Sequence, residues 1–308
     1  MSTHRPARPP RVAITLGAVL ASGALVLGLA GCVPASDPVD AASSSSPSAD
    51  AATGAPTPTP TPTPTWAPGV VNTLPADPVF DYQLGGAYDP PPGVTVVTRD
   101  SSADPVEGVY SICYVNAFQS QPDGYWPESL KVHDSDGKTV NDPAWPDESI
   151  LDISTPDNRQ AIADRTAVTV AGCAGKGFQA VEFDNLDAYT RSEGGTTLYD
   201  TIAYARLIVE FAHSSGLAVA QKNTPELEAR GKTDIGFDFA VAEECQRFGE
   251  CGAYTEVYGA AVLDIEYAGA LSAAWSDVCA DPALPAGTVQ RDRKLVPAGE
   301  PGHVYARC

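Results

Sequence analysis

Short runs of apolar, β-branched and aromatic residues recur along the chain: Phe80–Leu84, Val94–Thr98, Gly108–Val115, Ile150–Ile153, Phe178–Phe183, Leu217–Ala220, Phe237–Val241 and Ala260–Ile265. Most are nearly continuous in apolar character rather than alternating, the pattern of parallel strands covered on both faces. Between them the period changes. Ser154-Thr155-Pro156 supplies an N-cap and a first-turn proline for a helix expected to end before the glycines at 172–177. A second helix is expected over Thr197–Ser214, where Leu198, Ile202, Ala205, Ile208 and Phe211 form one stripe and Gly216 is the stop. Eight buried strands with helices between them predict an α/β fold, a single (β/α)8 TIM barrel. The stretch from Asn116 to Glu148 is long and polar for a βα connection, and is expected to be a functional loop crossing the barrel mouth.

The first 65 residues follow neither period. Residues 1–31 carry His4, Arg5, Arg8 and Arg11 with no acid, then an uncharged apolar run from Val12 to Leu29. This is the layout of a secretion signal. The run closes on Leu29-Ala30-Gly31-Cys32, which looks like a bacterial lipobox with Cys32 as the lipidated residue; an uncleaved membrane anchor is the alternative. Residues 32–65 are dominated by Ala, Ser, Pro, Thr and Asp and end in Thr-Pro repeats, so they are expected to be a disordered, semi-rigid tether. From Trp66 onward 243 residues remain, a usual size for one barrel. The domain is therefore expected at 66–308, outside the cytoplasm, on the outer face of the cell membrane or released.

Charge narrows the partners. The chain has a formal net charge of −20 and a pI near 4.4, and residues 32–308 alone carry −23 because the leader holds three arginines and no acids. Such a balance argues against nucleic acid and against an anionic membrane face held through a basic patch. Solubility explains much of it, and a cationic ligand is the sharper reading. Six cysteines follow Cys32, an even number that favours a disulfide framework in an exported domain. The expected pairs are Cys113 with Cys173, Cys245 with Cys251, and Cys279 with Cys308.

In such barrels the C-terminal ends of the strands converge on one mouth. Polar residues closing the apolar runs here are Tyr82 and Gln83, Asp100, Tyr114 and Asn116, Asp184, Asn185 and Asp187, Lys222 and Asn223, Glu243 and Glu244, and Glu266 and Tyr267. Alternation within Gly177–Tyr189 places Val181 and Phe183 on one side and Glu182 and Asp184 on the other. In Phe237–Cys245 the adjacent Glu243 and Glu244 repel, which raises a carboxyl pKa and suits a general acid. Other chemistries lack their residues. His133, His213 and His303 show no metal-ligand spacing, and there is no nucleophile elbow, P-loop or dinucleotide fingerprint, so no metal and no cofactor is expected. Hydrolysis by two carboxylates remains, with glycosidic bonds its commonest target.

Phe80–Leu84, Ile112–Val115, Gly177–Tyr189, Gln221-Lys222-Asn223, Glu243-Glu244-Cys245 through Glu250-Cys251, and Ile265-Glu266-Tyr267 resemble, in order, glycoside hydrolase family 114, the endo-α-1,4-polygalactosaminidases and related exported hydrolases. The resemblance implies a retaining mechanism with Asp184 as nucleophile and Glu243 as acid/base, acting on an α-linked, galactosamine-containing polysaccharide. Tyr82, Asp100, Tyr114, Asn185, Asp187, Lys222, Asn223, Glu244, Glu266 and Tyr267 are the candidates for holding substrate, with Tyr82 and Tyr114 as stacking platforms. Ala242 stands where the family often has Asn. The chain is expected to act as a monomer, and a barrel that binds sugar without turnover is the competing reading.

Overall fold

The computed structural model describes residues 70–122 and 125–308. The leader, Cys32 and the Thr/Pro tether lie outside the described residues. Among those described, no helix is long and apolar enough to cross a membrane.

The strands are β1 Phe80–Gln83, β2 Val96–Asp100, β3 Tyr110–Asn116, β4 Asn141–Asp142, β5 Trp145–Ser149, β6 Ala180–Asp184, β7 Ala218–Lys222, β8 Phe239–Glu243, β9 Val262–Tyr267, β10 Gly287–Arg291 and β11 Tyr305–Arg307. The helices are α1 Pro156–Lys176, α2 Leu198–Ser214, α3 Cys245–Phe248, α4 Cys251–Tyr258 and α5 Trp275–Val278. Eight strands run parallel in the order β1-β2-β3-β6-β7-β8-β9-β10, and β11 joins the edge antiparallel to β10. This is a nearly closed barrel-like sheet with helices around it, the architecture of a TIM barrel.

Alternation divides each strand between two cores. Phe80, Ile112, Ala180, Ala220, Val241, Ile265 and Val289 fill the barrel interior. Val181, Phe183, Val219, Ala240 and Ala242 face outward and pack with Ile162, Val170, Ile208 and Val209 of α1 and α2. Both long helices have the start signals their sequences carry. Thr155 caps α1 by accepting from the Asn158 amide at 3.2 Å, and Thr197 and Asp200 form a capping box on α2. Helix α1 runs on through Gly172 and Gly175 and stops only at Gly177, whose φ of 93° is left-handed. Favourable neighbours outweigh two helical glycines, but a left-handed stop is decisive.

One expected barrel strand is not in the barrel. Ile150 and Leu151 make isolated antiparallel bridges to Gln119 and Lys131, and with Ile153 they bury into the outer core. Their place as the eighth strand is taken by β10, whose sequence Gly-Thr-Val-Gln-Arg hides the pattern. Gly287 is required there: a Cβ would lie 2.8 Å from Leu263 Cδ2 and 3.0 Å from the Val262 carbonyl. The crossovers after β1 and β2 carry no helix, and the first contains Pro90-Pro91-Pro92, which cannot continue one. Segment 117–155 holds the β4–β5 hairpin.

The seam between β1 and β10 is joined by side chains. Fully buried Arg291 donates from Nη1 to Asp81 Oδ1 at 2.8 Å and to the Tyr82 carbonyl, and from Nε to the Val304 carbonyl at 2.9 Å. Tyr305 Oη on β11 donates to the Phe80 carbonyl at 3.1 Å. Three disulfides join Cys113 to Cys173, Cys245 to Cys251 and Cys279 to Cys308, the three expected pairs. They tie β3 to α1, α3 to α4, and the end of β11 to the turn after α5.

Candidate active site

Three neighbouring strands, β6, β7 and β8, end in Asp184, Lys222 and Glu243. The residue after each has left-handed backbone: Asn185 at φ 69°, Asn223 at 47° and Glu244 at 60°. Asn tolerates this region better than most residues, whereas Glu does not. This turn aims three successive strand ends at the same mouth.

Lys222 is the hub, only 1% exposed. Its Nζ lies 2.6 Å from Glu182 Oε1, 3.3 Å from Asp184 Oδ1 and 3.9 Å from Glu243 Oε2. It also donates to Tyr82 Oη at 2.9 Å, and Tyr82 in turn donates to Glu182 Oε1 at 2.8 Å. The shared lysine bounds the nearest oxygens of Asp184 and Glu243 to no more than about 7 Å apart. Burial pushes the Glu182 carboxyl up from its usual range, with Lys222 pulling the other way. Burial likewise raises the Tyr82 phenol, with Glu182 next in effect.

The two end carboxylates are held differently. Asp184 accepts from the Asn185 amide on Oδ1 at 2.8 Å and from Tyr114 Oη on Oδ2 at 2.7 Å. With Lys222 this gives it three donors, a setting suited to a nucleophile that carries negative charge. Glu243 accepts from Tyr267 Oη on Oε1 and from Asn223 Nδ2 on Oε2 at 3.3 Å, while its own amide donates to Asn223 Oδ1 at 2.8 Å. The sheet edge of the site is tied by Asn185 Nδ2 donating to Asn116 Oδ1 at 3.0 Å. Arg191 then pairs with Asp187 at 3.0 Å and with Asp142 of the long segment at 2.8 Å.

Of the residues expected to hold substrate, Tyr114, Asn185, Lys222, Asn223 and Tyr267 meet around Asp184 and Glu243, and Asp187 stands one step out on Arg191. Tyr82 forms the floor. It is fully buried, with Lys222 Nζ 5.4 Å from its ring centroid, so its face is not open for stacking. Three candidates stand elsewhere. Asp100 accepts from Ser102 in a turn. Glu244 pairs with Arg247 at 2.6 Å and Arg293 at 2.9 Å. Glu266 points outward and accepts the Gln246 amide of α3 at 2.8 Å. Burial lifts the Glu266 carboxyl to about 7, and that of its neighbour Asp264 well above the carboxylate range. Asp264 also lies within metal-ligand reach of Cys245 and Cys251, but those two sulfurs are bonded to each other.

Residues 55–308 match the profile of Glycoside-hydrolase family GH114. The chain belongs to this family. The resemblance carried by Gly177–Tyr189 and Glu243–Cys251 is thereby confirmed, and this GH114 protein is a glycosidase. Among solved structures it is similar to Aspergillus fumigatus Ega3 in complex with galactosamine, at 22% identity over 78% of this chain and 98% of that one, with a TM-score of 0.62. It is also similar to the glycoside hydrolase domain of PelA from Pseudomonas aeruginosa, at 13% identity over 76% and 98%, with a TM-score of 0.49. No curated protein matches the chain. The Ega3 likeness is one of fold.

Glu182, Arg191 and Arg293 of this GH114 chain also stand at the site. Alternation had already placed Glu182 on the face of Asp184, two residues upstream, so its entry into the site was readable. Arg191 and Arg293 had no such signal, because each arrives from an irregular segment. The Arg293 guanidinium stacks 4.5 Å from the Tyr267 ring centroid and links Glu244 to the site. Ala242 lies in the outer core, so the absent Asn side chain takes nothing from the mouth.

Proposed function

We propose that this glycosidase cleaves an α-linked, galactosamine-containing polysaccharide by a retaining, two-carboxylate mechanism. The observation that carries the reading is the pair Asp184 and Glu243 at the ends of β6 and β8, lodged on one buried lysine. Glu243, oriented by Tyr267 and Asn223, protonates the glycosidic oxygen while Asp184 attacks the anomeric carbon. Glu243 then takes a proton from the water that releases the sugar from Asp184. A retaining pair stands about 5–5.5 Å apart and an inverting pair roughly 6.5–9.5 Å; the bound set by Lys222 admits the retaining spacing and leaves out only the wider part of the inverting range. Three carboxylates share that one cation, and an ammonium-bearing sugar complements the excess. Galactosamine in the complex of similarly folded Ega3 supports the same class.

We further propose that the barrel, from residue 66, stands outside the cell on the tether at 32–65, anchored by lipid on Cys32 or released, and acts as a monomer. Replacing Cys32 by Ser then abolishes incorporation of labelled fatty acid and releases the protein from the membrane fraction. The activity test is incubation with partially deacetylated polygalactosamine, chitosan and an acidic glycan. Chain shortening is expected on the first, with products of retained anomeric configuration, and Asp184→Asn and Glu243→Gln each abolish it. Binding without cleavage by the parent protein, or cleavage that survives both substitutions, overturns the assignment.

A further inference from the structure

Glu243 is held from behind as well as from the mouth. It closes β8, and Glu244 after it is left-handed at φ 60°, a conformation that a side chain such as Glu adopts only against steric resistance. Helix α3 begins at the next residue, and Glu244 caps it with no side-chain hydrogen bond. The amides that open a helical turn have no partner within it and must find one elsewhere. Here they find β9.

Three consecutive residues of β9 hold four consecutive amides. The Ile265 carbonyl accepts from the Glu244 amide at 2.8 Å. Asp264 Oδ1 accepts from the Cys245 amide at 3.1 Å, and Glu266 Oε1 accepts from the amides of Gln246 at 2.8 Å and Arg247 at 3.4 Å. The next residue, Tyr267, points to the other face, and its hydroxyl donates to Glu243 Oε1. Alternation along one strand thus places two acids against the backbone after Glu243 and a phenol against its carboxyl.

Asp264 and Glu266 are fully buried on the outer face of the sheet, so contact with substrate is closed to both. What they touch is the turn that leads out of Glu243. The Cys245–Cys251 disulfide ties the same turn to α4, so it keeps a second anchor when one of these bonds is lost. The aim of Glu243 is then the property most exposed to change, and a misplacement of about 1 Å can cost a reaction roughly 100-fold.

We propose that Glu266, together with Asp264, is a positioning residue for the glycosidase reaction, fixing the turn that directs Glu243 at the glycosidic oxygen. The proposal rests on the reading of Glu243 as the acid/base. Its test compares Glu266→Leu, which removes the acceptor, with Glu266→Gln, which keeps an oxygen in the same place, both in the full chain. Two substrates are used: partially deacetylated polygalactosamine, and a galactosamine oligomer bearing a dinitrophenyl group, which departs without needing a proton. Glu266→Leu is expected to lower kcat on the polysaccharide about 10- to 100-fold with KM within about twofold of the parent, while first-turnover release of dinitrophenolate stays within about threefold. Glu266→Gln is expected to recover kcat to within about threefold of the parent. Glu266→Ala, measured in parallel, removes the acceptor without adding apolar bulk and is expected to follow Glu266→Leu. An unchanged kcat in the Leu and Ala variants, an equal loss on both substrates, or a Gln variant as impaired as Leu overturns the proposal. So does the absence of a cooperative thermal transition in both Leu and Ala variants, since Glu266 would then serve the fold. Glu243→Gln, run beside them, separates the two readings: it must itself lose the polysaccharide and spare the first dinitrophenolate, and if it does not, the acid/base reading fails first.

Discussion

Lys222→Met tests the central claim about the site, that one buried cation makes three carboxylates tolerable. Glu182 is fully buried and has Lys222 at 2.6 Å as its charged partner, so the substitution leaves it as an uncompensated buried charge. Breaking a buried pair in this way costs about 3–5 kcal/mol, against a total stability for a domain of about 5–15 kcal/mol. The loss has a pH signature. The folded Glu182 carboxyl already lies above its ordinary 4.5, so the folded state holds the proton more tightly than the unfolded state does. Its contribution therefore turns less favourable as pH rises from about 4.5 through the folded value. Removing Lys222 raises the folded value further and extends that decline, with each unit of extra shift costing about 1.4 kcal/mol. Urea unfolding at pH 4 and pH 7.5 is expected to show a small deficit at the lower pH and the full one at the higher. Adding Glu182→Gln is expected to recover most of the deficit at neutral pH, while kcat stays low because Asp184 and Glu243 still lack the lysine. An equal deficit at both pH values, unrelieved by Glu182→Gln, would mean that lost packing rather than charge is responsible, and the reasoning fails.

Three further outcomes follow from the geometry. Tyr114→Phe removes the 2.7 Å donor to Asp184 and is expected to lower kcat roughly 10- to 100-fold with the fold intact, read by steady-state kinetics beside circular dichroism. Replacing Cys279 and Cys308 by Ser opens a loop with a separation of 29 residues and is expected to cost about 3–4 kcal/mol in denaturant unfolding under oxidising conditions. Burial lifts the Glu266 carboxyl to about 7, so its contribution to stability is expected to decline between about pH 4.5 and 7; Glu266→Gln is expected to flatten that part of the stability profile.

Much of this was legible in the chain because burial on both faces leaves a continuous apolar signature. Seven of the eight barrel strands carry that signature. Strand β10 does not, because it lies beside the seam, where Gly287 must be small and Arg291 must be polar. Ile150–Ile153 carries the same signature for another reason, since it buries under the helices, and an apolar run records burial without recording which layer it enters. At the site, residues on strand ends were readable from alternation: Asp184, Lys222, Glu243 and Tyr267 converge, and Glu182 obeys the same rule. Glu266 also follows alternation, but to the opposite face. It precedes Tyr267 by one residue, and only one of the two can face the mouth. Contributions from irregular segments, such as Arg191 clamping Asp187 to Asp142, depend on tertiary approach and leave no period to read.

The seam has a consequence for the order in which the barrel assembles. Neighbouring strands elsewhere are joined by one crossover each, but Arg291 reaches Asp81 and Tyr82 across 210 and 209 residues, and Tyr305 reaches Phe80 across 225. Contacts so distant along the chain form late, because the loop they close is nearly the whole domain. The parallel sheet can grow strand by strand as an open, curved ribbon, and only the arrival of β10 and β11 turns it into a ring. The same joint is the natural place for the ring to open first, which makes the amides of β1 and β11 the ones to watch in hydrogen exchange.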